Sequence, residues 1–418
     1  MRKRSSMPLS SISSHRTLSF TSPFWLRGML FALFLSNVGT ALQLATQAWF
    51  VWETSHHPAT VGLLGLVQAS PLLGIPLLGG ILADRFPRRK LLLFTQSILA
   101  ALSALMGSLA LAGLLSLPLT LVLSGLLASV TALDNPMRQV YLPGVVEAAQ
   151  RSRTVGLNAL TYNGGAIAGP ALAGIFLPLI GVGWCFLLNA LSYLLVVSWL
   201  TAGPELLPGR VHTVRKSVLG VGHYVRQTPS VRNLLLLVAT VSLLGRSYPT
   251  VLPVLVNKIW GGGARTYGTL SALPGIGATI AAVLVIWLLG QQRQKRHGWL
   301  GGTLLGVSIV CVGGAYPLVL AGLALLVTGF AATGTMTLLN ASLQETTPDD
   351  VRGRIMSLYT WLAAGMPALG GWLLGTLMSI VAPQVVLVAA GTILIGVTLL
   401  LGQSGSRHLA QSPPREGL

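Results

Sequence analysis

The chain of 418 residues is 52% apolar and only 9% charged, with a mean hydropathy of +0.73. Soluble domains carry roughly 25% charged residues, so this composition excludes one. The net charge of +18 would suit nucleic acid in a soluble protein; here the expected counter-surface is anionic lipid headgroups, and no nucleic-acid partner is expected.

Residues 1–23 are rich in Ser and Arg. The apolar run from Phe24 is too long for a signal-peptide core and lacks a small-residue cleavage site, which predicts an uncleaved first span. At about 20 residues per crossing, the apolar runs predict twelve transmembrane helices. Six fall at 26–51, 61–82, 91–114, 117–140, 154–180 and 184–200, and six more at 234–256, 267–289, 299–318, 319–343, 355–380 and 385–401. Cys185 and Cys311 lie inside these runs and read as small packing residues rather than disulfide or metal ligands.

One break in composition separates the sixth span from the seventh, where Pro204, Pro208 and five basic residues gather. Val214, Val218, Val221 and Val225 recur there at helical spacing, the pattern of an amphipathic helix on the membrane surface. A flexible linker fits the same residues equally well. The expected organisation is a tail (1–23), a six-helix bundle (24–202), a middle loop (203–232), a second six-helix bundle (233–402) and a tail (403–418).

Positive charge is distributed on one side. Of the 27 Lys and Arg residues, all but Arg138, Arg246, Lys258 and Arg265 fall in the termini, at the start of the first span (Arg27) or in alternate loops on the same side of the predicted topology. Short loops rich in Lys and Arg stay in the cytoplasm, so both termini are expected there.

The two halves repeat. Asn135, Gln139 and Pro143 recur as Asn340, Gln344 and Pro348 at an offset of 205, and Gly62, Leu64 and Val67 align with Gly268, Leu270 and Leu273 at an offset of 206. Arg151 and Arg153 match Arg352 and Arg354 after a small gap. Parallel repeats of this kind predict an all-α polytopic membrane protein whose two six-helix halves are related by a pseudo-twofold axis along the membrane normal.

Between the second and third spans stands Gly79-Gly80-Ile81-Leu82-Ala83-Asp84-Arg85-Phe86-Pro87-Arg88-Arg89-Lys90. This segment resembles the loop signature of the major facilitator superfamily, with Pro87 in place of the usual Gly. The resemblance implies the major facilitator fold and a conformational latch built from Gly80, Asp84, Arg85, Arg88 and Arg89. A basic topogenic loop is the plainer reading. The fifth span carries Gly156, Gly165, Gly169, Pro170 and Gly174, with Ala173 between the last two. It is similar to the motif of exporting antiporters in that superfamily. Physically, Gly165, Gly169 and Ala173 share one helical face and permit close approach of another helix, while Pro170 frees a carbonyl.

Asp134 and Arg138 are four residues apart inside the fourth span and can pair. Asp134 is the only acid well inside a predicted span, which makes it the candidate proton carrier; a structural ion pair is the alternative. Arg246, in the outer half of the seventh span, has Glu53 as a possible partner, or could attract an anionic substrate. Asn37, Gln43, Gln47, Asn158, Tyr162, Asn163, Tyr359 and Trp361 are polar or aromatic candidates for a substrate cavity, although such residues also join helices.

From about Pro23 to Gln403 the chain resembles the siderophore and macrolide exporter branch of the superfamily. The resemblance implies a multi-pass protein of the bacterial plasma membrane that exports an amphiphilic small molecule against inward proton flow, acting as a monomer among membrane lipids. An uptake symporter of the same fold and a lysophospholipid transporter are the alternatives. No phosphate-binding Gly-rich loop, carboxylate pair or metal-ligand cluster is legible, so neither a cofactor nor enzymatic activity is expected.

Overall fold

The computed structural model describes residues 23–73, 87–205, 221–289, 294–314 and 317–410. Every regular element of the described residues is a helix. Its elements are α1 (Pro23–Ser55), α2 (Pro58–Ala69, continued by a 3-10 turn over Ser70–Leu73), α3 (Arg88–Leu111), α4 (Leu117–Gly144) and α5 (Arg151–Thr201). After the middle segment come the short α6 (Val221–Gln227), α7 (Pro229–Thr240), α8 (Tyr248–Trp260), α9 (Ala264–Leu289) and α10 (Gln294–Gly314). The chain continues with α11 (Leu318–Thr346), α12 (Asp349–Leu377) and α13 (Pro383–Ala410).

Local sequence sets these boundaries. Proline occupies the first turn of α2, α4, α7 and α8, where a missing N–H costs nothing. Gly261, at φ 60°, closes α8 in the left-handed region while its N–H and that of Gly262 satisfy the carbonyls of Asn257 and Val256. Gly181, at φ 81° and ψ 173°, breaks α5 between its two predicted spans, a conformation that residues with a Cβ avoid.

Among the described residues, eight helical segments are long and apolar enough to cross a membrane, and Pro58–Ala69 and Trp299–Gly314 are shorter apolar helices. Their outward faces carry bare aliphatic side chains: Val319, Leu400 and Leu179 are each exposed by two-thirds or more (74%, 69% and 67%). Water would penalise such a surface; lipid does not.

The structure corrects several sequence expectations. The seventh span is not one α-helix: a π-helical turn over Val241–Gly245 separates α7 from α8. Residue 318, predicted to end the ninth span, instead opens the next helix, with Pro317 at its N-cap. Cys311 is exposed rather than packed, whereas Cys185 is buried. Of the valines proposed for an amphipathic middle helix, Val214 and Val218 lie outside the described residues, and only the short α6 carries Val221 and Val225.

Within the N-terminal part, α5 packs along α1 and α3, and α3 along α4; in the C-terminal part, α10 packs on α11 and α13, and α9 on α11. The two parts meet chiefly where α5 packs on α9 and α2 on α12. Glycines make both joints close. A Cβ on Gly268 would fall 2.1 Å from the Cα of Gly174, and one on Gly62 would fall 2.9 Å from the carbonyl of Gly371.

These joints lie at one end of the bundle. The apolar core shared by both parts draws its N-terminal members from the last turns of α1 (Trp49, Val51, Trp52), the start of α2 (Val61, Leu64) and the neighbourhood of the Gly181 break (Ala173, Leu177, Cys185). This is the end without basic loops. Toward the basic end, the core around Trp25, Met29, Leu92, Tyr141 and Leu200 contains N-terminal residues alone. An aromatic pair reinforces the closed end: Trp49 and Tyr267, both buried, stack with ring centroids 5.5 Å apart, and Lys258 Nζ sits 5.9 Å from the Trp52 ring.

Candidate transport pathway

Asp134 sits ten residues before the basic end of α4, roughly 15 Å along the axis. It is 1% exposed, and both carboxylate oxygens are used: Oδ1 accepts from Thr95 Oγ1 and Oδ2 from Arg138 Nη2, each at 2.6 Å. Burying one of these charges alone would be costly; the pair offsets most of that cost. Pro136 lies inside the same helical turn and cannot donate to the carbonyl of Ala132, which loosens α4 at the ion pair. The flanking Asn135 and Gln139 are exposed, and in the second half Gln344 donates to Asn340 at 2.5 Å.

A polar seam continues from this pair through the N-terminal part. Tyr193 OH and Thr40 Oγ1 are 2.9 Å apart, Asn189 Nδ2 donates to Gln43 Oε1 at 2.7 Å, and Gln68 Nε2 donates to Gln47 Oε1 at 2.7 Å. Gln43 and Gln47, predicted to line a cavity, are therefore buried and committed to neighbouring helices. Asn37 donates to Thr161 at 3.1 Å, joining α1 to α5. Asn158 gives its backbone carbonyl to the Thr161 hydroxyl.

The small residues of α5 serve two partners. Gly165 and Gly169 bring the helix against α1, where a Cβ would fall 2.7 Å from Asn37 and 2.5 Å from Ala41. Gly174 faces Gly268 of α9, whereas a Cβ on Gly156 would meet nothing within 4 Å. Pro170 and Ala166 present carbonyls toward Gly268 and Gly275 of α9. Tyr162 and Asn163, about one helical turn further toward the basic end of α5, are exposed. On α12, Trp361 lies about three turns from Trp372, whose Cα packs on Gly62, and is 44% exposed.

Arg246 follows the π turn, near the middle of the 32-residue segment Pro229–Trp260. Its expected partner Glu53 is exposed at the end of α1, and the pair does not form. Arg246 Nη1 donates instead to the carbonyl of Ala363 on α12 at 3.0 Å. That carbonyl is free because Pro367, four residues on, has no N–H to give it. Tyr359, one turn below Ala363, reaches the Met336 carbonyl of α11 at 3.4 Å.

Gly80, Asp84 and Arg85 of the loop signature lie outside the described residues. Arg89 is fixed within the N-terminal part: its Nε donates to the carbonyl of Leu200 at 2.7 Å and its Nη2 to that of Thr201. The Nε of Arg88 is buried with no hydrogen-bond partner among the described residues. Sequence reading missed Thr95, Asn189 and Gln68, each a neutral residue whose importance comes from the partner the fold brings to it.

A family model described as a transmembrane secretion effector matches residues 19–411. The staphyloferrin A transporter of Staphylococcus aureus is 25% identical over 353 residues, covering 82% of this chain and 86% of that protein. The enterobactin exporter EntS of Escherichia coli is 28% identical over 404 residues, covering 93% and 94%. Among solved structures, a bacterial homologue of the human lysosomal transporter Spinster, inward-facing and occupied, has a TM-score of 0.71 at 14% identity, covering 94% of this chain and 100% of that one. A POT family transporter has a TM-score of 0.72 at 13% identity, covering 91% and 96%. At such identities the likeness is one of fold. With the family match running nearly end to end over an all-helical, lipid-facing bundle, the chain belongs to the transmembrane secretion effector family of the major facilitator superfamily and is a transporter, not an enzyme.

Proposed function

We propose that this protein exports an amphiphilic small molecule of the siderophore, macrolide or drug class from the cytoplasm across a bacterial inner membrane, in exchange for protons. Twelve spans form two six-helix halves, 24–202 and 233–402, related by a pseudo-twofold axis, with both termini in the cytoplasm. The single observation that carries the reading is the one-sided joint between the halves: glycine-tight at the end without basic loops, absent from the core at the basic end. Under the positive-inside rule that is a conformation open to the cytoplasm, the state in which an exporter loads. Siderophores enter as the substrate class through the names of the two relatives, and the small-residue stripe around Pro170 supports the antiport reading.

Asp134 supplies the coupling step. While ionised it holds Arg138; a proton on Oδ2 cancels that attraction and leaves Arg138 free to turn toward substrate or water. Loss of the pair in one state and its return in the other ties proton entry to the exchange of open ends. Asp84 and the arginines after it latch the basic face in the alternate state, so Asp84→Ala slows turnover far more than it weakens binding.

The test uses inverted membrane vesicles containing the full chain and radiolabelled, iron-free enterobactin or staphyloferrin A. An acid-inside gradient should drive accumulation that a protonophore abolishes and that Asp134→Asn lacks. Gradient-driven movement in the opposite direction would establish uptake instead.

A further inference from the structure

We infer that Arg246 is an anion-binding post in the transport pathway and that the transported molecule carries a carboxylate-type group which its guanidinium grips. The inference rests on the transport reading above and names the chemistry of the substrate.

The balance of charge within the membrane carries it. Two arginines, Arg138 and Arg246, lie well inside the predicted spans, while Arg27 stands at the very start of the first. Arg138 has Asp134 at 2.6 Å. Among the described residues no carboxylate lies within salt-bridge distance of Arg246. Nor can the chain readily supply one: of its nine acids only Asp134 is well inside a span, and it is committed to Arg138 in the other half. A half-buried guanidinium at mid-membrane depth without a counter-ion is costly and is normally retained for a pathway role.

The surroundings orient it toward a ligand. Nη1 is held by the Ala363 carbonyl that Pro367 leaves free, which fixes the plane of the fork and leaves its other N–H groups to bind. The π turn over Val241–Gly245 interrupts the span directly before Arg246, and such turns gather at functional positions. Tyr359 offers an aromatic ring one turn away on α12, suited to the apolar body of the same molecule. The planar fork matches the two oxygens of a carboxylate, whereas an amide or ester presents one neutral acceptor.

The experiment is a binding measurement on the full chain in detergent, using thermal stabilisation by paired probes: 1-pyrenebutyrate against its primary amide, and 2-naphthylacetate against its amide. Wild type should bind the acids about 10- to 100-fold more tightly than the amides. Arg246→Gln should reduce that preference to about twofold or less, and Arg246→Lys, which keeps the charge without the fork, should fall between. Equal stabilisation by acid and amide in wild type, no acid-dependent stabilisation at all, or a preference that survives Arg246→Gln would each overturn the inference. So would an Arg246-dependent shift produced by phosphatidylglycerol and by neither acid, which would make the counter-ion a lipid. Should Arg246→Gln not fold, the lysine variant decides, since unchanged selectivity there also counts against the fork. Binding needs no proton gradient, so acid selectivity without vesicle transport would indict the export reading alone.

Discussion

Gly174 and Gly268 meet backbone to backbone: a Cβ placed on Gly268 would lie 2.1 Å from the Cα of Gly174. This contact joins the N-terminal and C-terminal parts at the end free of basic loops, and no side chain fits it without displacing a helix. Gly268→Val should therefore destabilise the closed end by about 1–3 kcal/mol, the usual range for overpacking, which is roughly 5- to 150-fold in population. A cysteine at the buried Ala173, in a background with Cys185 and Cys311 replaced, reports it. Whole-cell labelling by a membrane-impermeant maleimide should accelerate in the Gly268→Val background; an unchanged rate would mean the joint is not a gate.

Asp134 and Arg138 form a buried pair, so removing one partner should cost more than removing both. Asp134→Ala strands Arg138 and should lower stability by about 3–5 kcal/mol. Asp134→Ala/Arg138→Ala should recover much of that in detergent melting curves while remaining inactive in proton-driven export. If the double variant is no more stable than the single one, the stranded Arg138 charge is not what destabilises Asp134→Ala.

Gln43 and Gln47 read from sequence as substrate-facing, but the fold commits them to Asn189 and Gln68. Asn189→Leu leaves the Gln43 amide without its partner and should cost about 1–3 kcal/mol. Gln43→Leu/Asn189→Leu should return toward wild-type stability, with transport affinity unchanged. A loss of affinity without a loss of stability would restore Gln43 to the binding surface.

Trp49 and Tyr267 stack across the same closed end. Trp49→Ala removes the contact and a large buried side chain, at a cost of about 3–5 kcal/mol in a tight core. Trp49→Phe retains an aromatic ring and should cost far less. Equal destabilisation by both would show that ring stacking is not the relevant interaction.

Much of the architecture is legible in the sequence because lipid makes a blunt demand for long apolar helices. The charge pattern and the Asp134–Arg138 spacing are legible for similar reasons: each is a local relation along one helix. Partner choice is not. Arg246 can be matched to Glu53 by sign alone, yet Glu53 sits exposed at the end of α1 while Pro367 leaves an acceptor open on α12. The break in the seventh span has a signal in Gly245 and Pro249, four residues apart around Arg246, overridden by the apolar run on either side. Thr95 and Asn189 give no signal, since a neutral polar residue acquires its role only when the fold supplies Asp134 or Gln43.

The central claim is that the two halves exchange which end is joined. Spin-label distances test it directly, with one pair at Ser55 and Ser379 on the closed end and another at Leu160 of α5 and Ile280 of α9, toward the basic end. In liposomes, substrate and a proton gradient should lengthen the first distance and shorten the second together. Two distances that both stay fixed, or that both lengthen, would contradict alternating access in this protein.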